Sequence, residues 1–378
     1  MASIQKNTNN GKATYTVRWR ANGTQHRQTF TRRTDAQRHA RNVETAKDRG
    51  HHIDPTDAKT PLNEWIDDWH NSRLNLRPST ETRDRTYINL YINPQLGKHQ
   101  LGHLTPTHIR QWIATLNQTL APATTRKAHQ LLSAALQAAV TDRMIATNPC
   151  QGTKLPPPTE AVHRYLTMEE VRDLANAINP KCRAFVYVGA LAGLRPGELA
   201  ALHLDNLDLH NQRLTVTHTA TELNGTITFG PPKTAAAKRT ISIGQTLTGI
   251  LTTHLDDYGP GSNVTHLPLH HVSHVSHVSH DSHVVFGSPD GGPLRMRNMR
   301  RRQWKQAVDD SVGAPMRIHD LRHTHAALSI AQGVHPRVLQ ERLGHRDITT
   351  TLGVYGGLFP GYDEDIAQAL DDAFTASI

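Results

Sequence analysis

Residues 192–199 have the sequence Ala-Gly-Leu-Arg-Pro-Gly-Glu-Leu, and this stretch predicts how the larger part of the chain is built. Gly193 can end one helix and Pro196 can begin the next, because glycine favours helix C-termini and proline favours the first helical turn. Arg195 is then fixed at a junction between two helices instead of extending freely into solvent. A simple helix ion pair between Arg195 and Glu198 is the alternative interpretation.

Four further segments downstream contain residue types that suit phosphate chemistry. They are Pro232-Lys233-Thr234 in a predicted turn between strands, His319-Asp320-Leu321-Arg322-His323, Leu343-Gly344-His345, and Tyr355. His319 and Arg322 are three residues apart, which places both side chains on one face of a helix. Each segment alone has an ordinary explanation, but the order and spacing of all five together are hard to obtain by chance.

With these five segments, residues from about 163 to 358 resemble the catalytic domain of the tyrosine recombinases, the phage integrase family. Glu198 matches the acidic residue that this family has after its first arginine. The resemblance implies an active site made of Arg195, Lys233, His319, Arg322, His345 and Tyr355.

The implied roles agree with what cleavage of a phosphodiester requires. Tyr355 can be the nucleophile and form a covalent ester with DNA. The two arginines can hold the non-bridging oxygens with bidentate forks and stabilise the transition state, and His345 adds another donor. His319 can take the tyrosine proton, and Lys233 can protonate the departing 5′ oxygen. Because the bond energy stays in the phosphotyrosine, the resemblance implies neither ATP nor a metal cofactor.

Three neighbouring residues are left without a settled role. Lys238 lies five residues beyond Lys233 and is the alternative candidate for the acting lysine. His323 and His325 follow Arg322 closely, and we interpret them as histidines that pack the helix.

The composition of the chain favours a nucleic-acid partner. Its 378 residues carry a formal net charge of +9 with a pI near 9.7, and a chain this basic tends to bind polyanions. Basic charge that only maintains solubility is the alternative. Cys150 and Cys182 are too few for a disulfide framework or a zinc ligand set. The polar N-terminus and the lack of a long apolar run predict no membrane span and a cytoplasmic protein.

The sequence predicts a multidomain chain that is mainly α-helical with small β-sheets. Residues 1–55 are predicted to form a three-stranded sheet plus helix that resembles an arm-type DNA-binding domain, with Arg18, Arg20 and Arg27 on its polar face. That face either enters a DNA groove or is simply solvated. Residues 60–150 have helical periodicity and resemble a helical, SAM-like core-binding domain. Residues 151–162 include three consecutive prolines and form a linker, and residues 163–378 form a mixed α+β catalytic domain.

Residues 272–280 are of low complexity, with histidines at every third position from 271 to 283. Such a tract can bind metal, but without cysteines or a helical spacing of four it is predicted to be a surface loop. The C-terminal segment carries an apolar stripe at helical spacing, which either folds onto its own domain or docks on a neighbouring subunit. The stripe consists of Ile366, Ala369, Leu370, Ala373 and Phe374.

The expected function is that of an integrase of a phage or integrative element. The resemblance implies double-stranded DNA attachment sites and a homotetramer on DNA as partners, with an excision factor and a DNA-bending host protein as further candidates. The alternatives are a type IB topoisomerase, a recombinase that resolves chromosome dimers, a catalytically inactive DNA-binding regulator, and a metal-binding protein built on the histidine tract.

Overall fold

The computed structural model divides the chain into two compact units, Met1–Glu160 and Ala161–Ile378. The structure describes residues 2–9, 12–21, 24–48, 56–158, 163–232, 234–259, 283–288, 292–359 and 363–376. Lys233, the Asn22-Gly23 turn and the histidine tract at 272–280 lie outside these described residues.

The first unit begins with the predicted three-stranded antiparallel sheet and its helix. Val17 and Trp19 are buried against the helix, whereas Arg18 pairs with Arg27 across two strands and both are exposed. This alternation confirms which face of the sheet is polar. The elements are β1 (Ser3–Asn9), β2 (Lys12–Ala21), β3 (Thr24–Phe30) and α1 (Arg33–Asp48).

The rest of the first unit is a helical bundle with a core of its own. Trp112 is only 2% exposed and its indole N–H donates to the carbonyl of Tyr91, so this tryptophan packs in the core. Thr105 caps the helix that Pro106 begins, as its sequence predicts. The helices are α2 (Leu62–Ser72), α3 (Pro78–Tyr87), α4 (Asn93–Leu96), α5 (Pro106–Asn117) and α6 (Pro122–Thr141).

The second unit surrounds one buried helix, α8, which contacts α7, α10 and α13. Its helices are α7 (Met168–Ala177), α8 (Pro180–Ala192), α9 (Pro196–Ala200), α10 (Gln245–Tyr258), α11 (Met296–Met299), α12 (Lys305–Ser311), α13 (Asp320–Ala331), α14 (Pro336–Leu343), α15 (Ile348–Tyr355) and α16 (Asp363–Thr375). Thr167 and Glu170 form a capping box at the start of α7.

The strands of the second unit form a small sheet and a separate hairpin. The sheet has the order β4-β5-β8, and the hairpin pairs β6 with β7 through a turn at Asn224-Gly225, a sequence that favours tight hairpin turns. The sequence analysis did not predict β6, whose residues are all partly buried and show no alternation. The strands are β4 (Leu207–Asp208), β5 (Arg213–Val216), β6 (Thr219–Leu223), β7 (Thr226–Gly230) and β8 (Arg239–Ser242).

The predicted fold class, mainly helical with small sheets, is confirmed. None of the helices in the described ranges is long and apolar enough to cross a membrane.

Candidate active site

Arg195 is fixed between α8 and α9, as the sequence predicts. Gly193 ends α8 in the left-handed conformation, with φ at +69°, and a Cβ there would lie 2.5 Å from the ring of His325. The backbone N–H and Nη1 of Arg195 donate to the two carboxylate oxygens of Glu198, at 2.9 and 2.8 Å. The side chain is still 35% exposed. Glu198 therefore fixes the orientation of the guanidinium, while part of the guanidinium remains accessible to solvent.

Arg322 lies in the first turn of α13 and is 2% exposed. Its guanidinium donates to the carbonyl oxygens of Gly193 at 2.8 Å and Leu343 at 2.6 Å. Burial, and then the positive charge of Arg195, lower the pKa of Arg322 to about 9. The guanidinium still carries its proton at neutral pH, but its surroundings leave positive charge uncompensated. An anion beside Arg195 and Arg322 would lower the free-energy cost of burying this positive charge.

Glu198 is the one buried carboxylate that faces these arginines in the described part of the site. It is 3% exposed and pairs with Arg195 and also with Arg239, at 2.8 and 3.0 Å. Burial raises its pKa, but the charge and hydrogen bond of Arg239, and then those of Arg195, bring the pKa below its usual value. Glu198 is therefore ionised, yet a single negative charge is shared between two arginines and does not neutralise Arg322.

His345 follows a tight turn at the end of α14. Gly344 has φ at +65°, and a Cβ there would lie 2.9 Å from the carbonyl oxygen of Ala236. Nδ1 of His345 hydrogen-bonds the hydroxyl of Thr351 at 2.9 Å. Burial, then Arg322 and other neighbouring charges, lower the pKa of His345 to about 3. The imidazole is therefore neutral at physiological pH and can donate one N–H.

Tyr355 lies at the end of α15 with only 1% of its surface exposed. Its hydroxyl hydrogen-bonds Nδ1 of His323 at 2.8 Å. Burial is the main reason why the pKa of Tyr355 is raised to about 12. The ring packs in an apolar cluster with Ala326, Ile330, Leu339 and Leu343. In this state the tyrosine is un-ionised and shielded from solvent.

The structure brings five of the six predicted site residues into one region of the second unit. Nη2 of Arg195 donates to the Gly344 carbonyl at 3.2 Å, next to the Leu343 carbonyl that accepts from Arg322. His319 is the residue before α13, and its pKa is lowered by burial and then by Arg322. The sixth, Lys233, lies outside the described residues. Lys238 is exposed. Because Lys233 cannot be compared with it, the choice of Lys233 as the acting lysine stays a prediction.

His323 contacts Tyr355, a contact that was not predicted from the sequence. It is buried, as expected of a histidine that packs the helix, and its Nδ1 also hydrogen-bonds the Tyr355 hydroxyl. Burial, and then His163, lower the pKa of His323 to about 4, so the ring is neutral. His323 lies one helical turn after His319, and this spacing was the available signal. For His325 the packing interpretation is confirmed, because its ring bonds the Ala190 carbonyl and accepts from Arg342 inside the unit.

Arg239 also contacts one of these residues, Glu198, without having been predicted to do so. Its side chain is 7% exposed and contacts Glu198 across 41 residues of sequence. No local pattern around Arg239 indicates this contact, since the residue looks like the first position of an ordinary strand.

Three residues near Tyr355 could in principle hold a metal ion. His163, Asp320 and His323 each offer a ligand atom within 4.8 Å of the others. However, the Asp320 carboxylate already accepts hydrogen bonds from the backbone N–H, Nε and Nη2 of Arg317. The nearby arginines also oppose a second cation. We therefore assign no metal to this cluster.

Comparison with known proteins identifies the family and the relatives of this chain. The model of the phage integrase family matches residues 164–359, and that of the phage integrase N-terminal SAM-like domain matches residues 61–117. The ICEBs1 integrase of Bacillus subtilis is 29% identical over 303 residues, which are 79% of each chain. A putative prophage phiRv2 integrase of Mycobacterium tuberculosis is 28% identical over 315 residues, 82% of this chain and 78% of the relative.

Two solved structures share the fold at low sequence identity. The Tn1549 transposon integrase in complex with transposon right end DNA has a TM-score of 0.69 at 19% identity, covering 84% of this chain and 100% of that one. A lambda integrase tetramer bound to a Holliday junction has a TM-score of 0.59 at 18% identity, covering 96% of each chain.

The fold and the site define a tyrosine recombinase, an enzyme that cleaves and rejoins DNA. The chain belongs to the phage integrase family, whose model covers more than half of its length. Its function is site-specific DNA integration.

Proposed function

We propose that Arg195, Lys233, His319, Arg322, His345 and Tyr355 are the active-site residues of this integrase. The observation that carries the proposal is the pair of guanidiniums, Arg195 and Arg322, bound to the adjacent carbonyls of Gly344 and Leu343. Among the described residues Glu198 is the carboxylate paired with Arg195, and because it is shared with Arg239 it leaves positive charge beside Arg322 that a scissile phosphate can balance.

The reaction is an attack of the Tyr355 oxygen on the scissile phosphorus. A bond forms between that oxygen and phosphorus, the bond from phosphorus to the 5′ oxygen breaks, and the DNA is left with a 3′-phosphotyrosine link. The tyrosine proton goes to His319, and the 5′ oxygen takes a proton from Lys233. The two arginines and His345 stabilise the charge on the non-bridging oxygens. Attack by a 5′ hydroxyl on the phosphotyrosine reverses these steps and rejoins the strand.

Tyr355 has to change its hydrogen-bond partner before this chemistry starts. In the described state the hydroxyl is bonded to His323 and not to His319. The ring is also buried, which opposes ionisation. Cleavage therefore follows a movement of α15 that takes the hydroxyl from His323 to the phosphate.

Assembly on DNA provides a reason for that movement. In α16, which follows Tyr355 closely, Leu370 is 65% exposed and Phe374 is 66% exposed. Apolar side chains exposed to this degree on one helix suit burial against a partner. We propose that α16 docks on a neighbouring subunit of a homotetramer that joins two DNA attachment sites. This arrangement links the position of Tyr355 to assembly.

The proposed domain roles follow the predicted boundaries. Residues 1–55 bind arm-type DNA sites through the exposed face of Arg18, Arg20 and Arg27, residues 60–150 bind the core site, and residues 163–378 carry the chemistry. Deleting residues 1–55 should spare cleavage of a short core site and flatten the salt dependence of binding to full sites. Equal salt slopes for the full-length and truncated proteins would remove the arm-binding role.

The test of the active site is cleavage of a nicked suicide substrate, from which the short 5′-hydroxyl fragment diffuses away and leaves the protein attached to DNA. We expect a covalent adduct, and we expect it to form equally well in excess EDTA. No adduct, or an adduct that requires a divalent cation, would refute the proposed chemistry.

A further inference from the structure

Three consecutive carbonyl groups at the C-terminal end of α14 each accept a hydrogen bond from a different arginine. The Arg342 carbonyl accepts from Nε of Arg239 at 2.7 Å. The next two, those of Leu343 and Gly344, accept from the phosphate-binding arginines of the proposed site at 2.6 and 3.2 Å. The partial negative charge of a helix C-terminus suits this cluster of cations.

Arg239 differs from the other two arginines because all three of its guanidinium nitrogens donate to protein acceptors in the described residues. Its Nη2 donates to Glu198 at 3.0 Å and its Nη1 to the Ala237 carbonyl at 2.9 Å. Its side chain is 7% exposed, against 35% for that of Arg195. Because Nε and both terminal nitrogens are held by protein acceptors, we assign Arg239 a positioning role and no phosphate contact.

The acceptors of Arg239 connect it with three parts of the proposed site. Glu198 orients Arg195, the Arg342 carbonyl lies in the turn that leads to His345, and Ala237 belongs to the segment between the two candidate lysines. Packing at this point is tight, because a Cβ on Gly344 would lie 3.0 Å from Cδ of Arg239. One side chain on β8 therefore sets the distances between elements that are far apart in sequence.

We propose that Arg239 is a positioning residue that aligns Arg195 and the His345 turn for catalysis. The proposal rests on the active site assigned above. A planar guanidinium is required, because a lysine ammonium cannot reach three acceptors arranged around a fork. Misplacement of a catalytic group by about 1 Å is enough to reduce a rate about 100-fold.

The test compares DNA binding with the rate of cleavage in the full-length protein. We expect Arg239→Gln to cleave a suicide substrate about 100-fold more slowly in a single turnover, with half-site affinity changed by less than about threefold. Arg239→Lys should recover only part of the rate. Arg172→Gln is the matched control, because Arg172 lies on α7 and its side chain is 60% exposed in a surface pair with Asp173. It should cleave at the wild-type rate.

A double-mutant cycle separates positioning from a general structural effect. If Arg239 acts through Arg195, the loss caused by Arg239→Gln should shrink to less than about tenfold in an Arg195→Ala background. The same fold-loss in both backgrounds, or parallel losses of binding and cleavage, would overturn the proposal. If Arg239→Gln does not fold, as judged by thermal unfolding, the cycle is run with Arg239→Lys and the same criteria apply. Failure of the wild-type protein to form an adduct would instead refute the active site itself.

Discussion

Nδ1 of His323 and the hydroxyl oxygen of Tyr355 are 2.8 Å apart and both residues are buried. This hydrogen bond occupies the proposed nucleophile before DNA arrives. It also connects α13, which carries Arg322, with α15, so the phosphate-binding and nucleophilic parts of the site are coupled in the resting protein.

The coupling between these two residues is measurable as stability. His323→Ala leaves the buried Tyr355 hydroxyl without this partner and should lower the free energy of unfolding by about 1–3 kcal/mol. In a Tyr355→Phe background the same change should cost less, because no hydroxyl remains to be satisfied. Urea unfolding of the four proteins provides the measurement. Equal costs in both backgrounds would show that the two side chains are not coupled.

Arginine-to-lysine replacements test the phosphate clamp. Arg195→Lys and Arg322→Lys should each lower single-turnover cleavage strongly, by about 100-fold or more, because lysine cannot make the bidentate contact. Their effects on stability should differ. Arg322 is 2% exposed and bonds two buried carbonyls, so its replacement should destabilise the protein more than that of Arg195. Near-normal cleavage by both variants would remove the clamp role, and Arg172→Lys provides the control.

The buried histidine His325 predicts how stability depends on pH. Burial, and then Arg342, lower its pKa to about 3 from a usual value of 6.5. A lowered pKa in the folded state means that the unfolded chain binds the proton more readily, so stability falls as pH drops below 6.5. Between pH 6.5 and about 5.5 the free energy of unfolding should fall by about 1 kcal/mol because of His325. The His325→Gln variant should be less stable than wild type at pH 8, but its free energy of unfolding should fall less as the pH is lowered. Urea unfolding over this pH range measures both proteins, and parallel plots of stability against pH would contradict the prediction.

The exposed apolar residues of α16 predict a role in assembly. Truncation after Phe359 should abolish multimeric complexes on DNA and leave monomer binding to a half-site intact, as measured by gel mobility shift. Leu370→Glu should have the same effect within the complete chain, because Leu370 is 65% exposed. Gln368→Glu, an exposed change on the same helix, is the control. Unchanged synapsis with only a destabilised monomer would indicate that α16 folds onto its own domain.

Local signals explain which parts of the site were predictable. Gly193 and Pro196 indicate the helix junction that fixes Arg195. The three-residue spacing of His319 and Arg322 is enough to predict that their side chains lie near each other, because it follows from helix geometry. The contacts of His323 and Arg239 were not predictable in this way. His323 meets Tyr355 across 32 residues, and Arg239 meets the Arg342 carbonyl across 103. Such pairs depend on how the helices pack, which residue periodicity does not specify.

The same contrast applies to the fold. Alternation in β2 and the Asn224-Gly225 turn gave the right sheet face and the right hairpin, because both are local patterns. Strand β6 was missed, since its side chains are partly buried on both faces and show no period of two.

The position of the covalent bond tests the central claim most directly. After reaction with a suicide substrate, trypsin should release residues 347–378 as a single peptide, because no lysine or arginine follows Arg346. This peptide contains two tyrosines, Tyr355 and Tyr362, so matched variants distinguish them. The account predicts that mass spectrometry finds the nucleotide adduct on this peptide in wild type and in Tyr362→Phe, and finds none in Tyr355→Phe. An adduct that persists in Tyr355→Phe, or that maps to another peptide, would contradict it.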